Sequence, residues 1–177
     1  MFQSGELVVY GTTGVCRVEK IVRPGLSGAD RDKLYYLLKP LQQDGVIYTP
    51  VDSPKVPMRP VLSAKEAEAL IDLIPTMKVE ACRPPSLQAL AQRYQAAVRT
   101  GDCRDLVRLA MSIYVKRREA EAQKRRLGQV DERYGKQAER LLHGELSVAL
   151  GIPPEEVPPY IARRVEALRA GQLSKAQ

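Results

Sequence analysis

The chain has 177 residues and is 44% hydrophobic by composition, with no Trp, one Phe and eight Tyr. That length admits one large domain or two small ones, packed by aliphatic residues and tyrosine. No apolar run approaches the roughly 18–20 residues of a membrane-spanning helix, and MFQSGELVVY has neither a basic n-region nor an apolar h-region, so neither a membrane span nor a secretory signal is expected.

The formal net charge is +7, and it is concentrated. Residues 1–82 hold ten Lys/Arg and ten Asp/Glu, residues 127–177 hold seven of each, and residues 83–126 hold eleven basic against four acidic residues. The whole excess therefore lies in one central segment, which attracts polyanions. The plain alternative is a solvated helix surface.

Strand-like runs come first. Leu7–Tyr10, Val15–Val22, Leu34–Lys39 and Val46–Thr49 are rich in β-branched residues, Leu and Tyr and are separated by turn residues. Gly11 and Gly14 bracket a tight turn, Pro24–Asp30 forms a longer loop, and Asp44–Gly45 reads as a hairpin turn. Pro50, Pro54, Pro57 and Pro60 oppose helix and central-strand pairing, with a short fifth strand near Val56–Arg59. Five short strands in so few residues predict a small, partly open barrel over residues 1–61.

Helices follow over residues 62–177. Ser63 and Glu66 form a capping box for a helix that stops before Pro75. Ser86 caps a helix with Leu87, Leu90, Ala91, Tyr94 and Val98 on one face, closed by Gly101. Asp102 caps the next, which buries Leu106, Leu109, Ala110 and Ile113 and sets Arg104, Arg108, Arg118 and Arg126 on the opposite face. This helix is expected to leave the core near Val115 and project. Tyr134, Ala138, Leu141, Leu142 and Leu146 mark a further helix ended by Gly151, and a last one spans roughly Tyr160–Arg169, with a frayed tail. The fold class is α+β in two domains, an antiparallel β-barrel followed by an all-α domain.

Catalytic chemistry has no visible basis. His143 is the single histidine, Cys16, Cys82 and Cys103 sit in no ligand spacing, and no phosphate-cradling glycine loop occurs. The cysteines are read as free buried thiols of a reducing compartment. No enzyme activity, metal or cofactor is expected. Binding is a different matter. Arg93, Arg99, Arg104, Arg108, Lys116, Arg117, Arg118, Lys124, Arg125 and Arg126 are candidate phosphate contacts, which give affinity without reading sequence. Tyr94 and Tyr114 could stack on bases, but their spacing with Leu90 and Ala110 favours the core. The edge strands of the β module could add to a partner's sheet, or be blunted and simply structural.

The wording of the chain also resembles a family. GELVVYGTTGVCRVEKI is similar to the GDxVVYPxxGVGxIExI opening of CarD/CdnL-type bacterial transcription regulators. LYYLLKP and VIYTPVDS resemble the strands that follow, and MRPVLSAKEAEALID, RTGDCRDLVRLAMSIYVKRRE and ERLLHGELSVALGI resemble its helical segments more loosely, over roughly residues 1–152. The barrel also resembles the polymerase-interacting domain of the transcription-repair coupling factor, without helicase motifs. The resemblance implies a Tudor-like barrel that binds the RNA polymerase β subunit, here through Arg23, Lys33, Tyr35, Leu37 and Tyr48. It implies a helical domain that contacts promoter DNA non-specifically and stabilises the open complex, in a cytoplasmic, nucleoid-associated protein, with a monomer as the expected state. Two departures stand out. The family's NWxRRY run, whose Trp wedges against opened DNA, corresponds to SLQALAQRY, so the wedge position falls on Leu90 when aligned on the RY pair and on Leu87 when counted back from Gly101. The basic contact of the family's fourth strand is replaced near Tyr48. An adaptor that docks on polymerase without touching DNA is the competing reading.

Overall fold

The computed structural model describes residues 1–23, 25, 32–52 and 54–175. The chain divides into two compact units, Met1–Val61 and Leu62–Gln177. The longer loop read at Pro24–Asp30 lies, Gly25 apart, outside the described residues.

The first unit is a five-stranded antiparallel sheet made of β1 (Leu7–Tyr10), β2 (Gly14–Val22), β3 (Tyr35–Pro40), β4 (Ile47–Pro50) and β5 (Met58–Pro60). The strand order is β4-β3-β2-β1-β5, so β4 and β5 are the edges. One face carries the core, built on Val8, Tyr10, Cys16, Val18, Tyr36 and Leu38, with Phe2, Ile21, Ile47, Val56 and Met58 against it. Phe2 meets Tyr36 edge-on at 6.1 Å between ring centroids, and its amide donates to the Tyr36 hydroxyl at 2.9 Å.

The mixed pattern of Val15–Val22 has a simple cause. The register slips between Val18 and Lys20, where Val18 faces Leu38 but Lys20 faces Leu37. This bulge resets the alternation, so Cys16 and Val18 point inward before it and Ile21 after it. The N-terminal segment covers the bulge: the Gly5 amide donates to Val18 O at 2.7 Å and the Ser4 hydroxyl donates to Glu19 O.

Between β1 and β2 the chain makes one short helical turn, with φ of +45° at Gly11 and +94° at Gly14. Gly11 is constrained twice. Its φ is in the region that side chains avoid, and a Cβ there would lie 2.3 Å from Val56 Cγ1.

The second unit contains α1 (Ala64–Leu73), α2 (Leu87–Arg99), α3 (Cys103–Ala122), α4 (Gln129–Leu150) and α5 (Val157–Lys175). The caps are those the sequence indicates. The Ser63–Glu66 box is closed in both directions, Ser86 Oγ accepts from the Ala89 amide, and Asp102 accepts from the Arg104 amide. Tyr94, Leu106, Ile113, Ala138, Leu142 and Leu146 form the centre of the helical core.

Two helix boundaries differ from expectation. Helix α5 is longer than Tyr160–Arg169, because Pro158 and Pro159 sit in its first turn, where a missing N–H costs nothing. It is tied to α1 by Arg164, which makes a forked contact to Asp72 at 2.5 and 3.0 Å, and by the Tyr160 hydroxyl on Glu68 at 3.2 Å. The Arg164 guanidinium holds the Asp72 carboxyl below its usual range. Helix α3 neither reaches Arg126 nor projects from a point near Val115. It stops at Ala122 in a Schellman arrangement, with the Lys124 amide donating to Glu121 O at 3.0 Å and the Arg125 amide to Ala120 O at 2.8 Å. The left-handed position usually filled by glycine is occupied by Lys124, at φ +53°.

Two outcomes follow from these turns. Gly11→Ala should destabilise the first unit by about 1–3 kcal/mol, the usual cost of overpacking, seen as a lower urea midpoint. Lys124→Gly should stabilise the second unit by about 1 kcal/mol, by relieving the left-handed strain, seen as a raised Tm.

Candidate functional site

The outward face of the sheet is the first surface of interest. Alternation places Tyr35 and Leu37 of β3 opposite the core residues Tyr36 and Leu38. Their neighbours across the ladder are Lys20 on one side and Tyr48 on the other for Leu37, and Val22 and Pro50 for Tyr35. Three strands thus present a band of Lys20, Leu37 and Tyr48 beside Tyr35, with Val46 and Leu34 exposed near its ends. Tyr48 stands on the edge strand and is 42% exposed. Tyr35, Leu37 and Tyr48 of the sequence expectation are therefore brought together. Arg23 and Lys33, both exposed, lie just beyond the ends of β2 and β3. Lys20 was missed, because the bulge that turns it outward has no glycine to announce it.

The basic residues of the second unit fall into groups. Arg104, Arg108 and Arg118 share the solvent face of α3, spaced over about 21 Å at 1.5 Å per residue. Arg108 reaches Asp105 at 3.6 Å across an exposed turn, a contact of little energy. Arg117, Arg125 and Arg126 line an open cleft of about 770 Å³ at the α3–α4 connection, with Glu121, Gln129 and Glu132. Arg83 joins a smaller adjoining cleft of about 180 Å³ and pairs with Glu119. Arg93 and Arg99 are exposed on α2. The exposed Lys124 occupies the strained turn.

Lys116 stands apart from the other cations. Its ammonium donates to Asp131 Oδ1 at 2.7 Å and to Cys82 O at 3.2 Å, and its side chain is only 12% exposed. The same Asp131 oxygen accepts from the Tyr94 hydroxyl at 2.6 Å. Burial, this hydrogen bond and the carboxylate charge push the Tyr94 phenol well above its ordinary range. Tyr94 also meets Tyr134 edge-on at 5.6 Å. Lys116 is thus an internal counter-ion, which leaves little of it for a phosphate.

The two wedge positions are separated clearly. Leu90 is 4% exposed in the core, whereas Leu87, at the first turn of α2, is 71% exposed. Tyr94 is in the core as expected, but Tyr114 is not: it is 57% exposed. At about 100° per residue it lies well off the Leu106–Leu109–Ile113 stripe and beside Arg118. Of the three cysteines, Cys16 and Cys103 are buried and Cys82 is only partly so. Burial pushes the Cys16 thiol up to about 11. Burial pulls the His143 imidazole down, against the opposing charge of Glu139.

Residues 2–62 match the family model of the CarD-like/TRCF RID domain. The first unit is thus similar to a CarD-like RID domain. A comparison with curated proteins finds no match. The RID match covers about a third of the 177 residues and takes in every strand that builds the Tyr35–Leu37–Tyr48 band. Members of this family are polymerase-interaction modules. No helix among the described residues is long and apolar enough to cross a membrane.

The Asp131 cluster behind the basic helices yields a direct test. Asp131→Ala would leave the Tyr94 hydroxyl without its acceptor and the Lys116 ammonium without its carboxylate, with only Cys82 O remaining to it. A destabilisation of about 3–5 kcal/mol is expected, as for a broken buried ion pair, measured by denaturant unfolding.

Proposed function

We propose that this chain is a non-enzymatic transcription regulator that docks on the β subunit of bacterial RNA polymerase through its RID domain and holds promoter DNA through its basic helices, prolonging the open complex. The RID match over residues 2–62 carries the reading. The docking surface is the outward band of Tyr35, Leu37 and Tyr48, with Arg23, Lys33 and Lys20 around it. It is a mixed apolar and basic face beside an unpaired edge strand, suited to adding a partner's strand. The DNA surface is the α3 face of Arg104, Arg108 and Arg118, with Arg117, Arg125 and Arg126 at the α3–α4 corner and Arg93, Arg99 and Lys124 in support. These side chains neutralise phosphates and give no base-specific readout. Of the two candidate wedge positions we take Leu87, supported by its exposure, over the enclosed Leu90. The protein works in the cytoplasm at the nucleoid, as a monomer and without a cofactor.

The deciding experiment pairs polymerase binding with open-complex lifetime. Tyr48→Ala together with Leu37→Ala should abolish co-purification with polymerase while the fold is kept. Changing Arg104, Arg108 and Arg118 to Gln should keep polymerase binding. It should also lower the steepness of log affinity against log salt by about one for each phosphate left without its arginine. An unchanged slope with an unchanged complex lifetime would favour the adaptor that never touches DNA.

A further inference from the structure

The corner between α3 and α4 holds the two adjoining clefts, of about 770 and 180 Å³, which share Arg125, Arg126, Leu127 and Gly128. The charges on their walls are unequally engaged. Glu119 is tied to Arg83, Asp131 to Lys116 and Glu132 to Lys136, which leaves Glu121 as the one unengaged acid of the walls. Arg117, Arg125 and Arg126 have no carboxylate partner among the described residues. Three guanidiniums against one carboxylate leave the corner short of anions. Arg117 reaches across to α4, where its guanidinium comes within 4.0 Å of the place a Cβ on Gly135 would take. Gly135 is two turns beyond Gly128 on the same side of α4, roughly 10 Å along the axis. Gly128 caps α4 without a side-chain oxygen, so the Gln129, Val130 and Asp131 amides find no acceptor in the cap or the helix. That end of a helix favours negative charge, phosphate above all.

The smaller cleft adds a different requirement. Asp131 lines it with a side chain only 7% exposed. Its Oδ1 accepts from Tyr94 and Lys116, whereas its Oδ2 accepts no hydrogen bond from a described residue. Gly128 keeps the space beside Oδ2 open. A Cβ there would lie 3.2 Å from Oδ2, and φ of −63° at Gly128 is one that any residue adopts, so the turn itself does not call for glycine. A buried acceptor at a cleft calls for a donor. The exocyclic amine of a base is one that carboxylates accept from, and the planar Arg83 guanidinium on the same wall offers its ring a stacking surface. A donor-bearing ring at one end and clustered negative charge at the other describe a nucleotide. We propose that the α3–α4 corner is a nucleotide site, with an amine-bearing base on Asp131 Oδ2 in the smaller cleft and a polyphosphate tail on Arg125, Arg126 and the α4 amides, extending toward Arg117 in the larger. Duplex DNA keeps its base amines paired, so it would satisfy the arginines and leave Asp131 Oδ2 as it is. The proposed DNA surface uses the same arginines, so the two ligands compete for the corner, but the nucleotide site does not depend on that reading.

The test is calorimetric titration of the full chain, in the absence of DNA, with ATP, GTP and inorganic tripolyphosphate. At least one of the nucleotides should bind more tightly than tripolyphosphate by about tenfold or more, the size of a hydrogen bond to a charged group. Gly128→Ala should bring that nucleotide down to the affinity of tripolyphosphate and leave tripolyphosphate unchanged. Changing Arg125 and Arg126 together to Gln should weaken both ligands by about tenfold or more, through the loss of charge-assisted contacts. An unchanged circular dichroism spectrum checks that each variant keeps its fold, and the exposed arginine pair carries the test if Gly128→Ala does not. Nucleotides that bind no better than tripolyphosphate, Gly128→Ala weakening both alike or neither, or binding indifferent to the arginine changes would overturn the site. Binding of a short DNA duplex, with neither nucleotide nor tripolyphosphate bound, would also overturn it and leave the arginines to DNA alone. Nucleotide binding with no duplex binding would uphold the site and remove the DNA-binding reading instead.

Discussion

One carboxylate organises the helical unit. Asp131, in the first turn of α4, accepts from Tyr94 of α2 and from Lys116 of α3 through the same oxygen, and Lys116 also fastens the backbone of Cys82. The Ser112 hydroxyl holds the same incoming segment by accepting from the Cys82 amide and donating to Glu80 O. Taking a carboxylate and an ammonium out of water is costly, and only close geometry with filled hydrogen-bonding capacity offsets it. Here that condition is met by three elements at once. The polar cluster therefore sets register where the apolar stripe of α3 has run out, and it stops α3 from peeling away into solvent.

A second buried acid does the matching task farther along α4. Glu145, 2% exposed, accepts the Leu62 amide at 3.1 Å and lies 2.9 Å from Cys103 Sγ. The two acids are 14 positions apart, roughly 21 Å along the helix. Between them α3 and α4 pack closely enough that a Cβ on Gly135 would come within 3.2 Å of Ile113 Cγ2. Helix α4 is thus a ruler with a polar fastening near each end and a tight apolar contact between. A rigid α3 follows, and rigidity is what a row of arginines needs if its charges are to meet phosphates rather than adapt to water.

Most of the framework could be read in the chain, and what could not has identifiable causes. Strand positions and the starts of α1, α2 and α3 rest on local chemistry, namely β-branched runs, Ser63, Ser86 and Asp102, so they came out within a residue or two. The bulge at Glu19 and the end of α3 escaped because both lack glycine: one is stabilised by the N-terminal segment, the other by a Schellman pair around a strained lysine. The face of Arg104, Arg108 and Arg118 follows from periodicity alone, whereas Arg126 left it once the helix ended. Lys116 and Tyr114 exchanged roles relative to expectation. A lysine looks exposed and a tyrosine looks buried until one knows that Asp131 lies across from the first and that no described residue covers most of the second. Such pairings join residues 15 or more positions apart, and residue spacing within one helix carries no information about them.

The absence of a tryptophan matters less if the two units act in tandem. Non-specific binding of DNA through phosphates is weak, with Kd about 10⁻⁴–10⁻⁶ M at physiological salt. A module already docked on polymerase meets the promoter at an effective concentration of about a millimolar for a short tether. At that concentration even the weaker of those affinities keeps the contact mostly formed. In that proposed arrangement the first unit would supply the localisation, and the arginines would need only to hold what is already near. A large aromatic wedge adds stabilisation to a contact of this kind but does not create it. The division of charge along the chain is compatible with that proposed arrangement, since residues 1–61 hold eight basic and six acidic residues, whereas residues 83–126 of the helical unit carry an excess of +7.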